Sequence, residues 1–300
     1  PGQILISARM AEGAGDELIT RALPPVRLKG VEEPFAVYEL VERTAAPRAA
    51  ATVNAPATMI NREIERAQLD EALVEPAAGR ARVLLIEGAA GMGKSLLLAE
   101  LARKATALSG ALLLSGGGDA IEQSTPYFAW RPVFEALLDI HNRPDWRDGL
   151  AATLAPAARP FLSLLNAVLP LDLPDNDLTA QLAGEARQDN TQELLIGLLR
   201  SVAAGNPLVV ALDDAHWLDS ASWALADRVR REIAPLLLVL VARPFGDDAP
   251  AAYAEIVAAP GTQRITLDAL PEADIETLLS RRLGVAGLPR EIADLIHQKA

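Results

Sequence analysis

Eight residues constrain this chain more than any others: Gly88-Ala89-Ala90-Gly91-Met92-Gly93-Lys94-Ser95, directly after the apolar run Val83 to Ile86 and at the opening of the helical pattern Lys94 to Ala107. Their spacing is G-x-x-x-x-G-K-[ST], in the strand–loop–helix context that the pattern needs. Small residues let backbone N–H groups curl round phosphate oxygens, and the helix N-terminus adds partial positive charge. Lys94 is placed to reach the β- and γ-phosphates, and the Ser95 hydroxyl to hold Mg²⁺. All eight residues are expected to bind the phosphates of ATP with Mg²⁺. A chain built round such a loop is committed to a parallel α/β sheet.

The remaining pattern agrees. Strand-sized apolar runs recur at Val83 to Ile86, Ala111 to Leu114, Leu208 to Leu212, Leu236 to Val241 and Arg264 to Leu267. Between or before them lie helical patterns at Glu63 to Leu73, Lys94 to Ala107, Arg131 to Asp139, Thr191 to Ala203 and Ser220 to Glu232. This alternation predicts a parallel sheet with helices on both faces, and with the phosphate loop an α/β P-loop NTPase three-layer architecture. The run Leu236 to Val241 is continuously apolar, as a strand covered on both faces should be, so it is expected at the centre. Residues Gly149 to Arg187, rich in Pro, Ala and Leu, read as short helices inserted before the third strand.

Leu208-Val209-Val210-Ala211-Leu212 ends in Asp213-Asp214, two carboxylates where a P-loop fold keeps its Mg²⁺-binding acid. Asp213 is the expected metal residue, orienting Mg²⁺ through water, together with Ser95. Asp214 is the candidate to polarise the attacking water, because hydrolysis needs a positioned acceptor. His216 either senses the γ-phosphate or packs beside Trp217. Arg243 closes the strand Leu236 to Val241 at its carboxyl end, where ligands sit in open α/β sheets. It reads either as a γ-phosphate sensor acting with Lys94 and Asp214 or as a cation kept outside a buried strand by solvation.

A net charge of -12 disfavours a broad nucleic-acid surface, and the absence of Cys excludes disulfides and thiolate metal sites. With no apolar run long enough to span a bilayer and no signal pattern at the start, the expected compartment is the cytoplasm, with no membrane partner. Pro1 and Ala300 read as internal breaks of a longer protein. Residues 1 to 43 hold strand-like runs at Ile4 to Ser7 and Phe35 to Val41, separated by a helical stretch and a turn at Pro24-Pro25, and residues 44 to 58 read as a linker.

The phosphate loop, the stretch Leu212-Asp213-Asp214-Ala215-His216-Trp217-Leu218-Asp219 and the upstream Asn61-Arg62-Glu63 resemble the signal-transduction ATPases with numerous domains, within the wider AAA+ group. The resemblance spans residues 58 to 300. It implies that Ile60 and Arg62 lie by the nucleotide, with Asn61 in place of the family's usual Gly, a substitution that Asn's tolerance of left-handed backbone accommodates. Arg264-Ile265-Thr266-Leu267-Asp268-Ala269-Leu270-Pro271 looks like the approach to that family's helical lid, so residues 59 to 267 would form the core and 268 to 300 the beginning of the lid.

Residues 1 to 42 are similar to the C-terminal end of class III nucleotide cyclase domains, through Pro1-Gly2-Gln3-Ile4-Leu5-Ile6-Ser7, Val26 to Pro34 and Val37-Tyr38-Glu39-Leu40. A small α+β cyclase remnant therefore precedes the core in this reading, with Lys29-Gly30 as a hairpin turn. The resemblances together imply an ATP-binding, slowly hydrolysing regulatory module. Its partners would be ATP and ADP, the adjacent cyclase domain, downstream effector or repeat domains, and other copies of itself in a nucleotide-dependent manner. A non-hydrolysing nucleotide-binding module, a regulator of transcription and a ring-forming motor are the alternatives.

Overall fold

The computed structural model describes residues 5–7, 18–23, 37–43, 59–108, 110–140, 154–246 and 249–283. The chain divides into two compact units, Pro1–Asn54 and Ala55–Ala300. In the first, β1 (Leu5–Ser7) and β2 (Leu18–Ala22) pair antiparallel with either edge of β3 (Val37–Arg43), with Leu5 opposite Glu39 and Ala22 opposite Tyr38. The helical reading between the two outer runs is corrected at Leu18–Ala22. Its backbone is satisfied by the edge of β3, and Ile19 and Thr20 are β-branched residues suited to a strand. The Pro24-Pro25 and Lys29-Gly30 turns and the linker at 44–58 lie outside the described residues.

The second unit is a five-stranded sheet, parallel throughout. The strands are β4 (Ala81–Gly88), β5 (Leu112–Gly117), β6 (Leu208–Asp213), β7 (Leu236–Ala242) and β8 (Thr262–Leu267), in the spatial order β5-β6-β7-β4-β8. Helices α1 (Glu63–Ala77) and α2 (Lys94–Ala107) cover one face. The other is covered by α3 (Arg131–Leu138), α4 (Gly184–Ala203), α5 (Ser220–Glu232) and α6 (Ala251–Ala258). A last described helix, α7 (Glu272–Leu283), follows β8.

β7 sits in the middle, as its sequence requires. Leu236, Leu238, Leu240 and Ala242 enter the core beneath α4 and α5, while Leu237, Val239 and Val241 enter the core beneath α1 and α2. Every residue of the strand is buried, so neither face tolerates the polar alternation of a half-exposed strand. Short 3₁₀ turns at Arg159–Ala167 and Thr179–Gln181 pack Leu164, Leu165, Val168 and Leu169 into the core, matching the short helices expected before the third strand. Three helices exceed the sequence reading, α1 continuing past Leu73 to Ala77. α4 begins at Gly184 rather than Thr191, because its opening turns are polar and mostly exposed. α6 was not marked by any periodicity, its sequence Ala-Ala-Tyr-Ala-Glu-Ile-Val-Ala being apolar nearly all round. Among the described residues, no helix is long and apolar enough to cross a membrane.

Candidate nucleotide-binding site

The phosphate loop leaves the buried end of β4 at Gly88 and enters α2 at Lys94. Two of its glycines supply backbone that side chains resist: Gly91 has φ +82° and Gly93 has φ +90°. Gly93 is the N-cap of α2, and no side chain caps the helix there, which leaves the first-turn N–H groups directed at the loop. Gly88 is needed for packing, since a Cβ there would lie 2.9 Å from the carbonyl oxygen of Leu267. Lys94 Nζ folds back over the loop, donating to the carbonyls of Gly88 at 2.7 Å and Ala89 at 2.8 Å. Its side chain is buried, and desolvation holds its pKa below the ordinary lysine value. Asp214 and Asp213 oppose that shift and Arg243 adds to it. Ser95 is exposed at the start of α2.

Asp213 ends β6, and its Oδ1 accepts the N–H of Asp214 at 2.8 Å. Burial raises the Asp213 pKa, with the neighbouring Asp214 charge acting in the same sense, while the Asp214 N–H and Lys94 act against them. Asp214 turns the chain into a 3₁₀ segment, Ala215–Trp217, from a left-handed conformation with φ +48°, and its side chain is half exposed. Asp is among the few residues with a side chain that enter this region readily. His216 lies with Nδ1 3.9 Å from Asp214 Oδ1. The backbone N–H of Arg243, the first residue after β7, donates to the same Nδ1 at 3.4 Å. The His216 ring is nearly buried beside Trp217, at 4.7 Å between centroids, and burial lowers its pKa below the usual histidine value. Asp214 pulls it upward, and Arg243 and Lys94 push it further down. His216 Nε2 is buried without a hydrogen-bond partner.

Lys94, Asp213, Asp214, His216 and Arg243, read from separate stretches of sequence, thus act electrostatically on one another at the carboxyl edge of the sheet. Arg62 stands apart from this group. Its guanidinium pairs with Glu65 at 2.7 Å and donates to the Asp268 carbonyl at 2.5 Å, one residue beyond the Leu267 carbonyl that Gly88 abuts. Asn61, with φ +51°, occupies the left-handed region expected of it, and its amide donates to Asp274 at 2.5 Å.

A family model described as AAA ATPase domain matches residues 58–240. The chain belongs to the AAA ATPase domain family. It is 29% identical over 263 residues to an uncharacterized protein of Rhizobium meliloti (strain 1021), a match covering 81% of this chain and 24% of that one. It is 23% identical to adenylate cyclase type 10 of Rattus norvegicus over 216 residues, covering 70% of this chain and 13% of the relative. The chain spans about a quarter or less of these curated relatives. Among solved structures it is similar to the Aeropyrum pernix Orc1 protein in complex with DNA, at 17% identity and TM-score 0.47, covering 84% of this chain and 59% of that one. It is also similar to Cdc6p of Pyrobaculum aerophilum, at 16% identity and TM-score 0.47, covering 81% and 54%.

In the AAA ATPase core, the residues present fit a Mg-nucleotide. An uncapped helix start, left-handed glycines and a lysine amine converge on one loop, with Ser95 and Asp213 as oxygen donors of the type Mg²⁺ takes. Among the described residues, no cluster of three His, Cys, Asp or Glu offers a metal site made of protein alone. Such a site is not required, because Mg²⁺ bound with phosphates uses one or two protein oxygens and keeps its remaining positions for phosphate and water.

The sequence reading missed a structural part of this core, Gly116-Gly117-Gly118. A Cβ on Gly116 would come within 2.0 Å of the Ala129 carbonyl oxygen, on Gly117 within 2.9 Å of the Asp213 carbonyl oxygen, and on Gly118 within 2.6 Å of the Asp214 carbonyl oxygen and 2.8 Å of Trp217 Cβ. The acidic turn therefore rests directly on glycine backbone. Three glycines after an apolar run were the available signal. Glu87 was likewise missed: a carboxyl group with no exposed surface immediately before the phosphate loop.

Proposed function

We propose that this chain carries an ATP-binding, slowly hydrolysing switch module of a bacterial multidomain signalling protein, linked in that protein to a nucleotide cyclase. The observation that carries the reading is the convergence of Lys94, Asp213, Asp214, His216 and Arg243 at the ends of α2, β6 and β7. Gly88 to Ser95 cradle the triphosphate, and Lys94 neutralises its β- and γ-oxygens. Ser95 and Asp213 hold Mg²⁺, which when bound supplies charge neutralisation across those phosphates. Asp214 accepts a proton from the attacking water, and its half-exposed carboxylate has room for one. Arg243 stabilises charge on the γ-phosphate, and His216 senses its presence.

Slow turnover suits a switch, because phosphate contacts hold one conformation and cleavage releases it. Residues 1–43 are read as a cyclase remnant, 44–58 as a linker, 59–267 as the ATPase core and 268–300 as the beginning of a lid. Similarity to proteins named adenylate cyclase supports the cyclase link. Arg62 joins core to lid through Asp268, and the family resemblance puts it by the adenine. The module is read as cytoplasmic, binding ATP and ADP and signalling to adjoining cyclase and effector domains, with no membrane or direct nucleic-acid contact of its own.

The test is Mg·ATP calorimetry with parallel phosphate release on the intact protein and on two variants. Lys94→Ala is expected to abolish binding, and Asp214→Asn to keep binding while losing turnover. Unchanged turnover in Asp214→Asn would leave a nucleotide-binding module that does not use this carboxylate for hydrolysis.

A further inference from the structure

Glu87 is the last side chain before the phosphate loop, and the mechanism above makes no use of it. It is fully buried, facing the core beneath α5 and α6. Its Oε1 accepts the hydroxyl of Tyr253 on α6 at 2.5 Å, and its Oε2 pairs with Arg264 Nε on β8. Burying a carboxyl group is costly, and an apolar residue of similar size commonly stabilises such a position better. The group is therefore better explained by the geometry it fixes than by stability.

That geometry leads to Arg243. The Tyr253 ring lies 4.4 Å from the Phe245 ring and 5.7 Å from that of Trp223, and the Trp223 and Phe245 rings are 6.0 Å apart. Phe245 follows Arg243-Pro244 as the chain leaves β7. Glu87 is also in register with Ala242, the residue before Arg243. A continuous path thus runs from Gly88 through Glu87, the Tyr253 hydroxyl and the Phe245 ring to the backbone of Arg243. Burial, with the neighbouring Glu87, keeps the Tyr253 hydroxyl protonated well past its ordinary range, so it remains a donor.

We propose that the Glu87–Tyr253 hydrogen bond is a positioning device that holds the Arg243–Phe245 segment in register with the phosphate loop, so that Arg243 meets the γ-phosphate of ATP seated in that loop. This rests on the reading of Arg243 as a γ-phosphate contact. Tyr253 and Glu87 are positioning residues that act through Arg243.

The experiment is a double-mutant cycle in the intact protein, with Mg·ATP affinity and single-turnover phosphate release as readouts. Tyr253→Phe keeps the aromatic packing and removes only the hydroxyl. It is expected to lower turnover about tenfold while affinity stays within about twofold. In an Arg243→Ala background the same substitution should change turnover by less than about twofold, because its effect is already spent. Phe245→Leu breaks the path at another link and should show the same dependence on Arg243. Losses that add in both cycles, or a Tyr253→Phe protein with unaltered turnover, overturn the positioning role while leaving the ATPase reading intact. Absence of Mg·ATP binding by the unsubstituted protein overturns both.

Discussion

The backbone N–H of Arg243 donates to Nδ1 of His216 at 3.4 Å, joining the end of β7 to the turn that follows β6. Because Nδ1 is the acceptor, the ring proton resides on Nε2, the buried atom without a partner. The imidazole is thereby fixed in orientation and tautomer. His216→Ala should lower phosphate release by up to about tenfold, the effect of losing one ordinary hydrogen bond. His216→Asn, whose amide oxygen can take the Nδ1 position, should recover most of the rate. Equal losses in the two variants would count against a role for the Nδ1 contact.

The same ring predicts a pH dependence of stability. Burial depresses the native His216 pKa below the value of about 6.5 expected in the unfolded chain. Between those two values the unfolded state binds more protons, so stability at this position is full above about pH 6.5 and falls as pH drops toward the native pKa. Urea unfolding of the unsubstituted protein should therefore weaken more steeply from about pH 7 to about pH 5.5 than that of His216→Asn. Parallel slopes would show that the native imidazole titrates like an exposed one.

Gly116 and Gly118 separate stability from function. A methyl group on Gly116 meets the fixed Ala129 carbonyl at 2.0 Å, so Gly116→Ala should destabilise by about 1–3 kcal/mol in chemical denaturation. A methyl on Gly118 presses on the Asp214 carbonyl and on Trp217, and the least costly response is displacement of the acidic turn. Gly118→Ala is expected to lose more turnover than Gly116→Ala at equal or smaller cost in stability.

Asp219 caps α5, with Oδ1 accepting the Ser222 N–H at 2.9 Å and Oδ2 accepting the Ser222 hydroxyl at 2.5 Å. Asp219→Ala should cost about 1–2 kcal/mol, read as a lower urea midpoint with an unchanged slope. Since α5 carries Trp223 against Tyr253 and Phe245, a loss of near-ultraviolet aromatic signal should accompany it.

The parts of the site legible in the sequence are those whose chemistry is local. Gly88 to Ser95 are consecutive residues between one strand and one helix, so spacing alone marks them. Asp213 was readable because it ends an unbroken apolar strand, and the central place of β7 followed from six consecutive Leu and Val residues with no polar alternation. The Gly116 to Gly118 run was visible, but its purpose was not, because that depends on carbonyls arriving from Ala129, Asp213 and Asp214. Glu87 lay between the apolar run and the phosphate loop with no local signal, and its partner Tyr253 lies 166 residues away. β2 was obscured for the same reason, since its strand identity depends on the edge that β3 offers.

β7 also stands between the strand that leads into the phosphate loop and the strand that ends in the acidic turn. Gly88 ends β4 and Asp213 ends β6, and no hydrogen bond of the sheet joins those strands directly. Neighbouring strands lie about 4.8 Å apart, so the span between phosphate loop and acid is roughly 10 Å. Loops at the edge can flex without altering it, whereas changing it means rupturing backbone ladders on both sides of β7. The separation of the phosphate loop from the acidic turn is in effect a lattice spacing, set by a strand that carries no polar side chain.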